Sequence, residues 1–256
     1  MDEFGCFLAL EARLLERTST NIEPFEFGIA YLDEEHPERY YSSFLRVDAR
    51  REGLTAEGLA AAAERILGHP RFVHRMVVVN DERVAEELIP RFEQLGYRTS
   101  WSVVMSNRRP PDRAGEMPVR EVPFAEVRAL IRETYLEDGG VPDDLADGFT
   151  RQQGKREGTI GARSFVADVD GQHAGSCELY VDGPDAQVEH VGTLERYRGR
   201  GVARSVVLRA VEEARLAGAS RVFILADEDD WPKRLYERLG FDRIGRIGDF
   251  LKLKGP

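Results

Sequence analysis

VEHVGTLERYRGRGVA, residues Val188–Ala203, passes through three kinds of local structure in a short span. Val188 to Leu194 reads as a β-strand. A basic turn holding Gly199 and Gly201 follows. Val202 then opens a helix whose apolar side, at Val202, Ser205-Val206, Leu208-Arg209-Ala210-Val211 and Ala214, recurs close to the helical period. The two glycines let the backbone between them turn tightly and aim several N–H groups at one point. That point is a helix N-terminus, where the macrodipole and unpaired donors favour an anion. Arg196, Arg198, Arg200 and Arg204 are expected to add charge and fork-shaped donors around it. The stretch predicts a phosphate or pyrophosphate site.

The spacing is neither GxxxxGK[ST] nor GxGxxG, so it is not a P-loop or a dinucleotide fingerprint. Arg196-x-x-Gly199-x-Gly201 instead resembles the signature of the GCN5-related N-acetyltransferases. A second string, Leu235-Tyr236-Glu237-Arg238-Leu239-Gly240-Phe241, is similar to that family's C-terminal LYxxLGF segment. A helix and a strand separate the two, as in the family, and the resemblance covers roughly Met117 to Leu253.

The resemblance implies acetyl-CoA as co-substrate. The strand before the glycine turn would splay from its neighbour and offer main-chain groups to the pantetheine arm at Thr193 and Leu194, and at Val191 and Gly192. The pyrophosphate would lie over the N–H groups of Arg198, Gly199, Arg200, Gly201, Val202 and Ala203. Two positions depart from the family pattern. Asp229 stands in a segment where many members carry an asparagine that holds the pantetheine, and an ionised carboxylate accepts but does not donate. Glu195 replaces a usual proline.

Acetyl transfer to an amine needs a base for the ammonium proton, donors for the developing oxyanion and an acid for the leaving thiolate. Tyr236 matches the family tyrosine that serves as that acid. Glu189 is the first choice of base. Strict strand alternation puts His190 on the opposite face, so only one of the two would face the acceptor. Glu178 on the preceding strand and a water relay are the alternatives.

Composition bounds the rest. The chain has 256 residues, 42% of them hydrophobic, enough for one large domain or two small ones. No apolar run has the length of a membrane span, and Met-Asp-Glu is not a secretory start. Cys6 and Cys177 are the only cysteines and no Cys/His cluster has zinc spacing. A net charge of −10 disfavours a nucleic-acid binder. These features predict a cytoplasmic protein with no metal, no membrane association and no nucleic-acid partner.

Along the chain, helices are expected at Phe7–Arg17, Thr55–Leu67, Arg83–Leu95 and Pro123–Leu136, with strands at Phe25–Leu32, Tyr40–Val47, His74–Val79 and Tyr97–Met105. Asn107–Met117, rich in proline and charge, reads as a linker, and Asp138–Gly148 as a polar loop. Ser164–Asp168, Ala174–Val181 and Arg221–Leu225 read as strands. Asp230 is the expected N-cap of a helix ending at Gly240, and Phe241–Leu253 supplies the last strand or strands.

There is also an internal repeat. Glu93-Gln94-Leu95-Gly96-Tyr97 matches Glu237-Arg238-Leu239-Gly240-Phe241, and Arg75–Val79 matches Arg221–Leu225 in the same order. In that register Gly53 meets Gly199, but Thr55 meets Gly201 and Glu52 meets Arg198, so the first copy lacks the anion site. The expected fold class is α/β (α+β): two acyl-CoA N-acyltransferase-like units, each a mixed, mostly antiparallel sheet flanked by helices. Residues 1–107 form a degenerate copy, 108–117 a linker and 118–256 the acetyl-CoA-binding domain. The expected function is direct acetyl transfer to a primary amine, small-molecule or peptide, by a monomer or homodimer. The alternatives are a non-catalytic CoA-binding or sensor protein, or another acyl or aminoacyl transferase.

Overall fold

The computed structural model describes residues 1–137 and 141–254. Eleven β-strands and seven α-helices are present among them. The chain divides into two compact units, each assembled from separate segments. The first comprises Met1–Leu10, Met105–Leu225 and Trp231–Ile244, the second Glu11–Val104, Ala226–Asp230 and Gly245–Pro256.

In the second unit, β1 (Asn21–Phe25), β2 (Gly28–Leu32) and β3 (Phe44–Val47) form an antiparallel meander. β3 then pairs in parallel with β4 (His74–Val79). Helix α2 (Ala56–Leu67) makes the crossover, and α3 (Glu82–Gln94) follows β4 and leads to β5 (Arg98–Asn107). Leu45, Val47, Leu59, Ala63, Val77, Val79 and Phe92 form one buried core, in which Phe92 stacks on Phe250 with ring centroids 4.3 Å apart.

The first unit repeats this order. β7 (Arg163–Val169), β8 (Gln172–Asp182) and β9 (Asp185–Thr193) form an antiparallel meander, with β6 (Val119–Val122) added outside β7. β9 pairs in parallel with β10 (Arg221–Asp227) across helix α6 (Val202–Leu216). Helix α7 (Pro232–Arg238) and β11 (Phe241–Leu253) complete the copy. Helix α4 (Phe124–Glu137) buries Phe124, Val127, Leu130 and Ile131 against Val166 and Leu194. The duplication read from the two LG-aromatic strings is therefore a duplication of topology.

The boundaries expected at 107 and 118 are contiguous, whereas the units are not. Gly248–Leu253 of β11 pair antiparallel with His74–Val79 of β4, which carries the end of the chain into the second unit. The expected linker is a strap. Arg108 and Arg109 N–H groups donate to Gly240 O at 2.9 and 3.1 Å, Asp112 N–H to Arg238 O at 2.8 Å, and Met117 N–H to Ser205 Oγ at 3.2 Å. Composition identified a segment outside regular structure and missed these bonds.

Other expectations shift for identifiable reasons. Phe25–Leu32 is not one strand but spans the β1–β2 hairpin, where a Cβ on Gly28 would lie 1.9 Å from Arg46 O. Tyr40–Ser42 is a 3-10 turn, so β3 begins only at Phe44. Helix α1 runs Glu3–Thr18, longer at both ends than expected. α3 continues through Pro90. α7 starts at Pro232 with Trp231 at its N-cap, and Asp230 N–H instead donates to Asp227 O. Of the expected loop Asp138–Gly148, the first three residues lie outside the described residues. Asp143 opens an 18-residue helix, α5 (Asp143–Ile160).

A buried acid in the second unit sets a pH dependence. Asp249 on β11 is buried and accepts from Ser102 Oγ at 2.6 Å. Burial pushes its carboxyl up to about 7, against the pull of the Ser102 and Tyr41 hydroxyls and with Asp227 adding to the rise. Such a group binds its proton more tightly folded than unfolded. Its contribution is full below an unfolded value of about 4 and is lost as pH rises towards 7, by roughly 4 kcal/mol. Asp249→Asn removes this titration. Denaturation midpoints from pH 4 to 8 should show the variant gaining on the native chain as pH rises, and a constant difference contradicts the assignment.

Candidate active site

The first unit contains an open sheet edge beside an uncapped helix. The β9–β10 register starts at Asp185↔Arg221 and ends at Val188↔Ile224, while β9 continues to Thr193 paired only with β8. Beyond Leu194 a 3-10 turn, Glu195–Tyr197, leads into Gly199 and Gly201. Their φ values are +76° and +85°, and a Cβ at either would meet nothing within 4 Å. The two glycines thus hold a left-handed turn around open space. Gly201 is the N-cap of α6 and has no side chain to cap it, so the first-turn N–H groups lack the acceptor that an N-cap side chain would supply.

The second unit shows the same elements closed. Leu45↔Val77, Arg46↔Val78 and Val47↔Val79 pair to the end of β3. Asn80 N–H then donates to Val47 O at 2.8 Å and its amide to Asp48 Oδ1 at 2.6 Å. Thr55 Oγ1 caps α2 by accepting from Gly58 N–H at 3.1 Å. The first copy has neither a split edge nor a free helix end.

The arginines of the turn divide into two groups. Arg198 and Arg200 are exposed. Arg198 Nε donates to Thr193 O at 3.3 Å, and Arg200 approaches Asp170 only to 3.4 Å. Arg196 is held by Glu133 at 2.5 Å. Arg204 was expected beside the turn, but it is buried and bonded to Asp112 at 2.5 Å and to Arg113 O. One helical residue per 100° carries it from the turn to the strap.

Thr193 Oγ1 is buried and has no hydrogen-bond partner among the described residues. Leu194 has its side chain in the core, its N–H on Ala174 O and its carbonyl on Tyr197 N–H. Val202 is buried and Ala203 half-buried at the helix start. Asp229 belongs to the second unit, exposed in a turn where its N–H donates to Asp227 Oδ1 at 2.8 Å. Tyr236 on α7 is buried, its ring centroid 6.2 Å from that of Phe241.

The acid–base candidates on β8 and β9 converge. Glu178 stands opposite Glu189 in the antiparallel register. The register then slips, so that His190 and Val191 together oppose Cys177, and His190 takes φ +51°. This bulge overturns the expected alternation. The His190 ring lies on the same side as Glu178, with Nε2 4.0 Å from Glu178 Oε2. Glu189 is half-buried and accepts from Gln187 Nε2 at 2.6 Å.

Helix α5 supplies two site residues that the sequence did not indicate. Gln153 Nε2 donates to Glu178 Oε1 at 2.9 Å while its carbonyl accepts from Tyr135. Arg156 Nη1 donates to Tyr180 OH at 2.7 Å, and Tyr180 OH donates to Glu178 Oε2 at 2.6 Å. Burial raises Glu178 above the carboxylate range despite Arg156, Tyr180 and Gln153. Burial opposes the charge on Arg156, but Tyr180, Glu178 and Glu189 more than offset it and keep the guanidinium charged. The missed signal was the spacing Ala146, Phe149, Gln153, Ile160, one helix face obscured by Gly148, Gly154 and Gly158.

Residues 124–241 match the acetyltransferase (GNAT) family, and this part of the chain is a domain of that family. Similar solved structures extend over both units. A functionally unknown conserved protein from Staphylococcus epidermidis ATCC 12228 has a TM-score of 0.73 at 16% identity, covering 93% of this chain and 95% of its own. A GCN5-related N-acetyltransferase from Kribbella flavida has a TM-score of 0.66 at 16% identity, covering 100% and 97%. A tandem GNAT protein from the clavulanic acid biosynthesis pathway gives 0.57 at 14% identity, covering 90% and 80%. At these identities the likeness is one of fold, and it includes the N-terminal region. No helix among the described residues is long and apolar enough to cross a membrane.

Proposed function

We propose that the first unit binds acetyl-CoA and moves its acetyl group directly to a primary amine of a small molecule or peptide. The observation that carries this reading is the end of β9–β10 pairing at Val188↔Ile224, which leaves the remainder of β9, to Thr193, without β10 as it leads towards the left-handed glycine turn of α6. The orphaned Thr193 Oγ1 and the open space at Gly199 and Gly201 fit an extended ligand ending in a pyrophosphate. Main-chain groups from Arg198 to Ala203 would hold the phosphates, Arg198 and Arg200 would add charge, and Thr193 and Leu194 would form the wall beside the arm. Acetyl-CoA would supply the activated acetyl group. Two free cysteines, Cys6 and Cys177, suit a reducing cytoplasm.

Glu189 takes the ammonium proton of the acceptor, and Tyr236 returns one to the departing thiolate. Glu178 has both oxygens accepting and is buried, so it serves the site from behind. A lost general base costs about 10²-fold or more in turnover. Glu189→Gln should therefore lower kcat by about that factor, and Tyr236→Phe by about 10-fold or more, both with acetyl-CoA affinity kept. Thiol release from acetyl-CoA across an amine panel measures this. Undiminished kcat in Glu189→Gln removes it as the base.

A further inference from the structure

We infer that Arg156 is a positioning residue that fixes His190 as the neutral Nδ1–H tautomer and withdraws its Nε2 lone pair from the acceptor amine. This rests on the acetyl-transfer reading for its role, but not for its geometry. Arg156 Nη1 lies 2.6 Å from His190 Nε2 and 2.7 Å from Tyr180 OH. A guanidinium has donors only and keeps its proton, so the ring nitrogen must accept. A proton added at Nε2 would face a cationic N–H at that distance. The carboxylate that would favour a protonated ring, Glu178, is 4.0 Å away and already accepts from Gln153 and Tyr180.

Four elements supply the polar groups of this cluster. α5 contributes Arg156 and Gln153, β8 contributes Glu178 and Tyr180, and β9 contributes Glu189 and Gln187, with Tyr135 of α4 behind Gln153. The bulge delivers His190 to Arg156 through a φ of +51°, a conformation a regular strand would not give it. The arrangement turns a residue of the usual proton-accepting type into a fixed strut. Proton acceptance is left to Glu189, the carboxylate beside it.

The test is long-range ¹H–¹⁵N NMR of the histidine rings of the full chain, with the five histidines resolved by comparison with His190→Asn. The expected result is a bare, pyridine-like Nε2 and a protonated Nδ1 for His190, unchanged from pH 6 to 8. In Arg156→Gln the same ring should titrate with a midpoint of about 6.5, the ordinary histidine value. The pH profile of kcat/KM in that variant should gain a limb at the same pH. A His190 that titrates near 6.5 in the native chain, or that carries its proton on Nε2, overturns the inference, as does an unchanged ring in Arg156→Gln. The native-chain spectrum decides alone should the variant not fold. Because it is recorded without acetyl-CoA or amine, its failure leaves acetyl transfer standing. Absence of acetyl transfer in turn leaves the tautomer in place without a catalytic role.

Discussion

Gly201→Glu should abolish acetyl-CoA binding while leaving the protein folded. Gly201 sits at φ +85° with open space where a side chain would project, so a glutamate meets no neighbour and costs only the left-handed backbone penalty, about 1–2 kcal/mol. The same open space is where the phosphates would lie against the first turn of α6. A carboxylate placed there replaces attraction by repulsion and displaces charge-assisted hydrogen bonds of about 1.5–3 kcal/mol each. Loss of two such bonds weakens binding by more than about 100-fold. Thermal melting with and without acetyl-CoA measures both halves. The variant should melt a few degrees below the native chain and show no shift on adding ligand. A ligand shift as large as that of the native chain would place the phosphates elsewhere.

Gly240→Ala should produce the largest loss of stability. Gly240 has φ +93°, and a Cβ there would lie 1.9 Å from Arg109 O. Arg109 is fixed at that distance because its N–H and that of Arg108 both donate to Gly240 O. Its guanidinium also reaches Asp242 at 2.8 Å. The clash is with backbone and has no rotamer to relieve it, so the strap must lift. The left-handed penalty of about 1–2 kcal/mol adds to two hydrogen bonds of about 1 kcal/mol each, giving about 3–4 kcal/mol. For a chain of this size the melting temperature falls by about 10 °C. Arg109→Ala, which keeps the main chain, should lose far less. Equal losses would mean that the side-chain ion pair, not the glycine contact, holds the strap.

The parts of this fold legible in the sequence are those with local causes. The glycine turn announced its geometry because only glycine takes two left-handed conformations there cheaply, and the repeat appeared because both copies keep an LG-aromatic corner. Helix α2 was expected to begin at Thr55, and the Thr55 side chain caps it. The parts that stayed hidden depend on tertiary contacts. Nothing local says that β11 leaves the first unit to pair with β4, or that the proline-rich segment is bonded to Gly240. The bulge at His190 hid the acid–base geometry, since one extra residue turns a side chain to the other face. α5 was masked by its three glycines, and with it Gln153 and Arg156. Arg204 looked like a phosphate ligand because charge was visible and direction was not.

Calorimetric titration of acetyl-CoA into the native protein tests the central claim most directly. One site of micromolar affinity, about −8 kcal/mol, that is lost in Gly201→Glu is the predicted result. No detectable binding at millimolar acetyl-CoA would contradict it, and would leave the split edge of β9 and the glycine turn as features of the fold alone.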